Sequence, residues 1–249
     1  MKQFAKFRET SIGFLDEGVG HPVVLVHGFA SNAEVNWLWP GWIKALNKAG
    51  YRAIAIDNRG HGESTKFLSE EDYHLDKMAG DVLNLIAYLE LKTPDVMGYS
   101  MGSRITATLA NRHGGRLGNI ILAGNGYNMI EGGFDSTAIR DGLLAASFEQ
   151  APTTIGRDFR FFADQTGSNL EALAACIMAA RTHIPESVFE SIKNRTLVIA
   201  GTEDTVADNP AQLATIIPDG HFEPIPNRNH MNAVGDKVYK EKVLEFLTG

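Results

Sequence analysis

A serine nucleophile is the first chemistry that the sequence indicates. Gly98, Ser100 and Gly102 form the pattern Gly-x-Ser-x-Gly, where a short apolar run gives way to a stretch of helical periodicity. A nucleophilic serine projects from a tight strand-to-helix turn, and glycines two residues to either side remove the Cβ atoms that would clash there. Such a pentad also arises by chance, so its position between a strand and a helix carries the prediction of a nucleophile at Ser100.

A serine hydroxyl needs a base, and the base needs an acid that orients it. In a parallel sheet, both must follow strands whose carboxyl ends share the edge of the serine turn. Asp204 and His230 each come directly after a late predicted strand. We therefore predict a triad of Ser100, Asp204 and His230. Glu203 and Asp208 are the rivals for the acid.

Seven further histidines compete for the role of base. His27 and His61 lie at the right edge of the sheet, but each sits in a glycine-rich turn, where bracing the backbone is the more usual role. The others fall at the opposite edge, at helix ends, at the start of a strand or in a helical stretch: His21, His74, His113, His183 and His221. His230 is therefore preferred.

Acyl transfer also needs donors for the developing oxyanion. Met101 follows the serine at a helix N-terminus, and Phe29 lies in His27-Gly28-Phe29 directly after a predicted strand. Backbone N–H groups at such positions point towards a bound carbonyl. We predict that the N–H groups of Phe29 and Met101 form an oxyanion hole.

The glycine-rich segment at residues 57–64 has the composition of a metal or phosphate loop. No His-x-x-x-His pair or carboxylate cluster accompanies it, and neither of the common nucleotide-binding glycine motifs occurs in the chain. We predict a structural loop here, and we expect neither a metal nor a nucleotide cofactor.

A mostly parallel sheet must position these loops. Short β-rich runs alternate with amphipathic stretches, which is typical of an α/β fold with helices on both faces of the sheet. The predicted strands are residues 23–27, 52–56, 95–99, 119–123, 195–200 and 222–225, after an edge hairpin at 4–10 and 12–18. The predicted helices are residues 42–49, 75–89, 101–112, 210–217 and 236–247.

One stretch lacks a strand signal and divides the chain. We predict a core of residues 1–124 and 195–249, with a helical cap at residues 125–194, the inserted segment. It has predicted helices at residues 138–149 and 170–181. Its apolar side chains, such as Phe134, Phe159 and Phe162, exceed what so small an element can bury within itself. We expect them to pack on the core or to line a pocket.

Composition excludes several classes of partner. The chain is 44% hydrophobic and 21% charged, as folded globular proteins are, and its formal charge of −7 disfavours nucleic acids and anionic membranes. The apolar runs are too short for a signal peptide or a transmembrane helix. Cys176 is the single cysteine, so no internal disulfide forms. We expect a cytoplasmic protein with no nucleic-acid or membrane partner.

Together these motifs resemble the α/β-hydrolase superfamily. The resemblance rests on residues 27–29, 57–64, 98–102, 201–204 and the loop of His230. It implies the roles predicted above for the triad and the two oxyanion donors, and it places a cap domain at residues 125–194. Ser103 departs from the second glycine that many relatives have after the nucleophile, and we expect this to affect helix packing.

Within the superfamily, the chain is similar to small carboxylesterases, enol-lactonases and cofactor-free haloperoxidase-like enzymes. Haloalkane dehalogenases and epoxide hydrolases have Asp where this chain has Ser100, and related lyases have a charged residue where it has Phe29. The resemblance implies hydrolysis of esters or lactones through an acyl-enzyme on Ser100. The apolar side chains of the inserted segment favour small to medium, mainly apolar substrates.

Other activities remain open for the same triad. These are hydrolysis of a carbon–carbon bond, formation of peracids, acyl transfer to an acceptor other than water, and service as a small-molecule receptor. Arg157, Arg160 or Arg181 would favour the first of these by binding a substrate carboxylate.

Overall fold

A mostly parallel sheet with an antiparallel edge forms the centre of the protein. The computed structural model describes residues 1–132 and 135–249. The strands are β1 Gln3–Phe7, β2 Thr10–Glu17, β3 His21–Val26, β4 Tyr51–Ile56, β5 Asp95–Tyr99, β6 Ile120–Ala123, β7 Thr196–Gly201 and β8 Gly220–Ile225. Their order in the sheet is β1-β2-β4-β3-β5-β6-β7-β8. Pairing is antiparallel from β1 to β2 and from β2 to β4, and parallel elsewhere.

The helices are α1 Trp42–Lys48, α2 Leu75–Tyr88, α3 Met101–His113, α4 Asn128–Glu131, α5 Ser136–Leu143, α6 Thr154–Gln165, α7 Leu170–Ala180, α8 Glu186–Glu190, α9 Pro210–Ile216 and α10 Lys237–Thr248. Helices α1 and α10 contribute to one apolar cluster, and α2, α3 and α9 contribute to the other. The prediction of an α/β fold with a mostly parallel sheet flanked by helices is confirmed.

Strand β3 shows why its sequence is continuously apolar. Val24 and Val26 belong to one apolar cluster, whereas Val23 and Leu25 belong to the other, and all four are fully buried. Successive side chains of a strand point to opposite faces of the sheet. A strand covered by helices on both faces therefore carries no polar alternation.

The inserted segment contains helices α4 to α8, between β6 and β7. It includes α6, which the sequence patterns do not locate, and the predicted helix at residues 170–181 appears as α7. The predicted helix at residues 138–149 is wrong at its end, since α5 stops at Leu143. Arg160 donates hydrogen bonds to the carbonyl oxygens of Leu143 and Ala145, and these bonds satisfy the end of α5. Phe134 lies outside the described residues.

Within residues 1–132 and 135–249, no helix is long and apolar enough to cross a membrane.

Candidate active site

The turn from β5 into α3 holds Ser100 in a backbone conformation that few residues adopt. Its φ is +54° and its ψ is −115°, a strained combination that only the surrounding structure can maintain. Ser100 N–H donates to Ala123 O at 2.8 Å, and Asn125 Nδ2 donates to Ser100 O at 2.5 Å. Ser103 Oγ lies 2.8 Å from Gly98 O and 2.7 Å from Ala123 O. It ties the first turn of α3 to the two strands beside it.

Close backbone contacts require the two glycines that flank Ser100. A Cβ on Gly98 would lie 2.2 Å from Gly102 O, and a Cβ on Gly102 would lie 1.9 Å from Val26 O. Both distances are far below van der Waals contact, so any side chain would push the turn away from the strands. The spacing that identified the serine therefore has a direct steric cause.

The three residues of the predicted triad form one hydrogen-bonded chain. His230 Nε2 lies 3.0 Å from Ser100 Oγ, and His230 Nδ1 lies 2.9 Å from Asp204 Oδ2 and 3.1 Å from Oδ1. The Asp204 side chain is fully buried, and its Oδ1 also accepts the N–H groups of Val206 and Ala207. Because Asp204 holds the proton of His230 on Nδ1, Nε2 is available to accept the hydroxyl proton of Ser100.

The rival acids have no such contact with the imidazole. Glu203 and Asp208 are exposed, and among the described residues neither side chain forms a hydrogen bond to His230. The structure thus brings Asp204 alone of the three carboxylates against the base.

Tyr99 supports the base, although no pattern in the sequence marks it. Its hydroxyl donates to His230 O at 2.5 Å, and the two rings lie 5.3 Å apart. Burial raises the pKa of Tyr99 well above its usual value, and the nearby Asp204 acts in the same direction. The hydroxyl therefore stays protonated and anchors the loop that carries His230.

His27 and His61 brace the turns beside the site rather than joining the triad. His27 Nδ1 donates to Gly28 O at 2.7 Å, while its Nε2 accepts the N–H of Asn58 at 3.0 Å. His61 Nδ1 lies 3.0 Å from Arg59 O. Burial lowers the pKa of His27 to about 4 and that of His61 to about 3. Both rings are neutral at neutral pH.

Asp57 organises the glycine-rich loop at residues 57–64. Its carboxylate accepts the N–H groups of Ala33 and Glu63 and the ammonium of Lys2, at 2.8 to 2.9 Å. Burial opposes ionisation, but the charge interaction with His27 and these hydrogen bonds together outweigh it and lower the pKa of Asp57. The carboxylate of Asp57 thus fixes the backbone of the loops at Ala33 and Glu63, as expected of a structural loop.

The two predicted oxyanion donors lie beside the nucleophile. Phe29 follows β3, and Met101 is the first residue of α3. Neither N–H has an acceptor among the residues that the structure describes. A Cβ on Gly28 would lie 3.4 Å from Ser100 Cβ, so the loop that carries Phe29 approaches the serine at van der Waals distance.

A cavity of about 270 Å³ opens onto Ser100 and His230. Phe29 and Asn36 line it from the core, and Phe159, Phe162 and Arg181 line it from the inserted segment. The site thus combines the hydrogen-bonded chain of Ser100, His230 and Asp204 with a largely apolar wall.

The three arginines of the inserted segment differ in position. Arg157 is exposed, and Arg160 binds Asp164 and backbone carbonyls, whereas Arg181 lines the cavity. Burial lowers the pKa of Arg181 to about 9, and the guanidinium of Arg104 adds to this shift. A positive charge in this place would be stabilised by an anion.

In the described ranges, no group of three His, Cys, Asp or Glu side chains is arranged to hold a metal ion.

Comparisons with known proteins identify the family. The sequence profile of the alpha/beta hydrolase fold matches residues 21–173. Non-heme chloroperoxidase CPO-A1 from Kitasatospora aureofaciens is 30% identical over 95% of both chains. The chain belongs to the alpha/beta hydrolase family, and its sheet and flanking helices are those of the alpha/beta hydrolase fold.

Two solved structures are similar over their whole length. A bromoperoxidase from Bacillus anthracis superposes with a TM-score of 0.84 and 25% identity, covering 100% of both chains. An esterase from Exiguobacterium antarcticum superposes with a TM-score of 0.81 and 22% identity, covering 100% of this chain and 98% of that one. The latter likeness concerns the fold alone.

Proposed function

We propose that the protein is a serine hydrolase that cleaves small to medium, mainly apolar carboxylic esters or lactones. The observation that carries the proposal is the hydrogen-bonded chain from Asp204 through His230 to Ser100, which opens on a largely apolar cavity. We also propose that residues 125–194 act as a cap, because Phe159 and Phe162 line that cavity from this segment.

The reaction follows from the positions of the groups. His230 Nε2 takes the hydroxyl proton of Ser100 as Oγ attacks the ester carbonyl, and the imidazolium is stabilised by Asp204. The oxyanion accepts hydrogen bonds from the N–H groups of Phe29 and Met101. His230 returns the proton to the departing alcohol, leaving an acyl group on Ser100. Water activated by the same imidazole then releases the acid.

Hydrolysis of p-nitrophenyl esters from acetate to dodecanoate tests this proposal. We expect turnover by the wild type, and a kcat lower by about 10⁴ or more for Ser100→Ala. Mass spectrometry of the quenched enzyme should find the acyl group on Ser100. Retention of most activity by the variant would refute the proposed nucleophile.

The haloperoxidase names of the relatives can be tested in the same assay. Hydrogen peroxide would attack the acyl-enzyme in place of water and give a peracid instead of an acid. Peracid formation that exceeds hydrolysis at millimolar peroxide would assign the protein to perhydrolysis rather than to ester cleavage.

Hydrolysis of a carbon–carbon bond is the second candidate, and Arg181 favours it. Its guanidinium lines the cavity of Ser100, where it would bind the carboxylate of an acidic diketone. Cleavage of such a diketone, with no turnover of any neutral ester, would replace the first proposal with this one.

A further inference from the structure

Asn36 is a polar residue of the cavity wall that the mechanism above does not use. It lies in a single π-helical turn, Glu34–Leu38, between β3 and α1. Such turns occur frequently at functional sites. The residue is only 4% exposed, yet it lines the cavity that contains Ser100. The residue therefore borders the space for substrate.

The orientation of this amide is determined by Gly28. Gly28 N–H donates to Asn36 Oδ1 at 3.1 Å, so the oxygen faces Gly28 and Nδ2 faces away from it. Within residues 1–132 and 135–249, Nδ2 has no hydrogen-bond partner. Other buried polar side-chain atoms in these ranges also lack a hydrogen-bond partner. Asn36 Nδ2 is the only one of them that belongs to a residue lining the cavity. A buried donor without an acceptor is costly, so this position calls for an acceptor that the described protein groups do not supply.

The amide also lies close to the nucleophile. A Cβ on Gly28 would lie 3.4 Å from Ser100 Cβ and 3.7 Å from Asn36 Oδ1. The side chain that Gly28 lacks therefore leaves an open space with Ser100 on one side and Asn36 on the other. A substrate attacked by Ser100 therefore lies beside the residue Asn36.

We propose that Asn36 determines substrate specificity by donating from Nδ2 to a second oxygen of the substrate, distinct from the scissile carbonyl oxygen. The substrate class is then esters or lactones with an ether, carbonyl or carboxylate oxygen close to the ester group. This inference rests on the proposed function. The phenylalanines that line the cavity, Phe29, Phe159 and Phe162, offer no side-chain hydrogen bond, so only polar lining residues such as Asn36 distinguish an oxygen from a methylene group.

Two matched pairs of esters test the inference. In p-nitrophenyl benzyloxyacetate and p-nitrophenyl 4-phenylbutanoate, an oxygen replaces a methylene on the acyl side. In 2-methoxyethyl butanoate and butyl butanoate, the same replacement is on the alcohol side. The measured quantity is the ratio of kcat/KM within each pair for the wild type, Asn36→Asp and Asn36→Leu. Asp keeps an acceptor for Gly28 N–H, whereas Leu retains only the approximate shape.

In one of the pairs, we expect both variants to lower the preference for the oxygen-containing ester by about 2- to 10-fold. A purely structural role would change the rates of both members of a pair by the same factor, since it acts through the loop of Gly28. A variant ratio that stays at the wild-type value in both pairs would overturn the inference, and so would a buried water serving Nδ2.

Failure of the proposed function has a different signature, which is the absence of wild-type turnover for every ester. The inference is then measured by binding. Saturation-transfer NMR would compare benzyloxyacetate with 4-phenylbutanoate on the wild type and on both variants. Loss of a wild-type preference for benzyloxyacetate in both variants supports the role of Asn36. The lack of any preference in the wild type overturns it.

Discussion

The loops at the carboxyl ends of the strands and the inserted segment line the same cavity, but they are held in different ways. The loops are held by short hydrogen bonds between buried groups, such as those of Ser103 and Tyr99. Phe159 and Phe162 of the inserted segment are only partly buried and pack against the apolar core. Hydrogen bonds impose positions on atoms, whereas apolar packing tolerates changes of shape. Chemistry should therefore depend on the loops, and selectivity for the length of the acyl chain on the inserted segment.

Asp204→Asn, a change in one of the loops, should have the largest effect on catalysis. An asparagine amide has an NH₂ group in place of one carboxylate oxygen. It can donate to His230 Nδ1, which favours the tautomer that carries its proton on Nε2 and cannot accept the proton of Ser100. We expect kcat for p-nitrophenyl butyrate to fall by about 10⁴-fold, as in other triads. Steady-state kinetics measures this directly.

Glu203→Gln is the matched control, because Glu203 is the exposed neighbour of Asp204. Its kcat should stay within about twofold of the wild type, as is usual for surface changes. Equal losses in the two variants would remove Asp204 from the role of orienting acid.

Acidification should weaken the loops through His27 and His61. Burial gives these rings a pKa of about 4 and about 3 in the folded chain, below the ordinary value of 6.5. Between pH 6.5 and these folded pKa values, the unfolded state binds more protons than the folded state. Stability is therefore complete above about pH 6.5 and falls as the pH approaches 4, by up to about 1.4 kcal/mol per pH unit for each ring. Urea unfolding at a series of pH values measures the slope.

His61→Asn should make this slope shallower between pH 6.5 and 4, although it also lowers stability at neutral pH by loosening the packing. His74→Asn, which replaces an exposed ring, should leave the slope as it is. A wild-type slope that persists in His61→Asn would mean that other groups cause the acid sensitivity.

Phe162→Ala should have the smallest effect and should change selectivity rather than chemistry. The partly buried ring lines the cavity from α6, so its removal enlarges the space for the substrate. We expect the ratio of kcat/KM for p-nitrophenyl octanoate to kcat/KM for p-nitrophenyl acetate to shift by about tenfold. The melting temperature should change by only a few degrees.

Phe161→Ala tests whether that shift is specific. Phe161 is the neighbouring ring on α6, but it is 51% exposed, and it should not alter the ratio. If both variants gave the same ratio as the wild type, the inserted segment would not contribute to selectivity.

The sequence predicts the strand-edge loops better than the inserted segment for a physical reason. Gly98 and Gly102 mark the serine turn by their spacing within five consecutive residues, and the positions of Asp204 and His230 follow from where the strands end. The end of α5 depends on Arg160, a residue of another helix, so no local pattern shows it. No sequence pattern indicates Tyr99 either, because its partner His230 lies far away in the chain. The same holds for Asn36, whose Nδ2 has no partner among the described residues.

The hydrogen bond between Ser100 and His230 joins positions that are 130 residues apart. During synthesis on the ribosome, the serine turn emerges long before β7, β8 and the imidazole that follows them. If Ser100 and His230 act as proposed, a partly translated chain has its nucleophile but lacks its base, and it remains inert towards esters. The first release of a chromophore in a cell-free translation reaction would therefore report the time at which the last strands join the sheet.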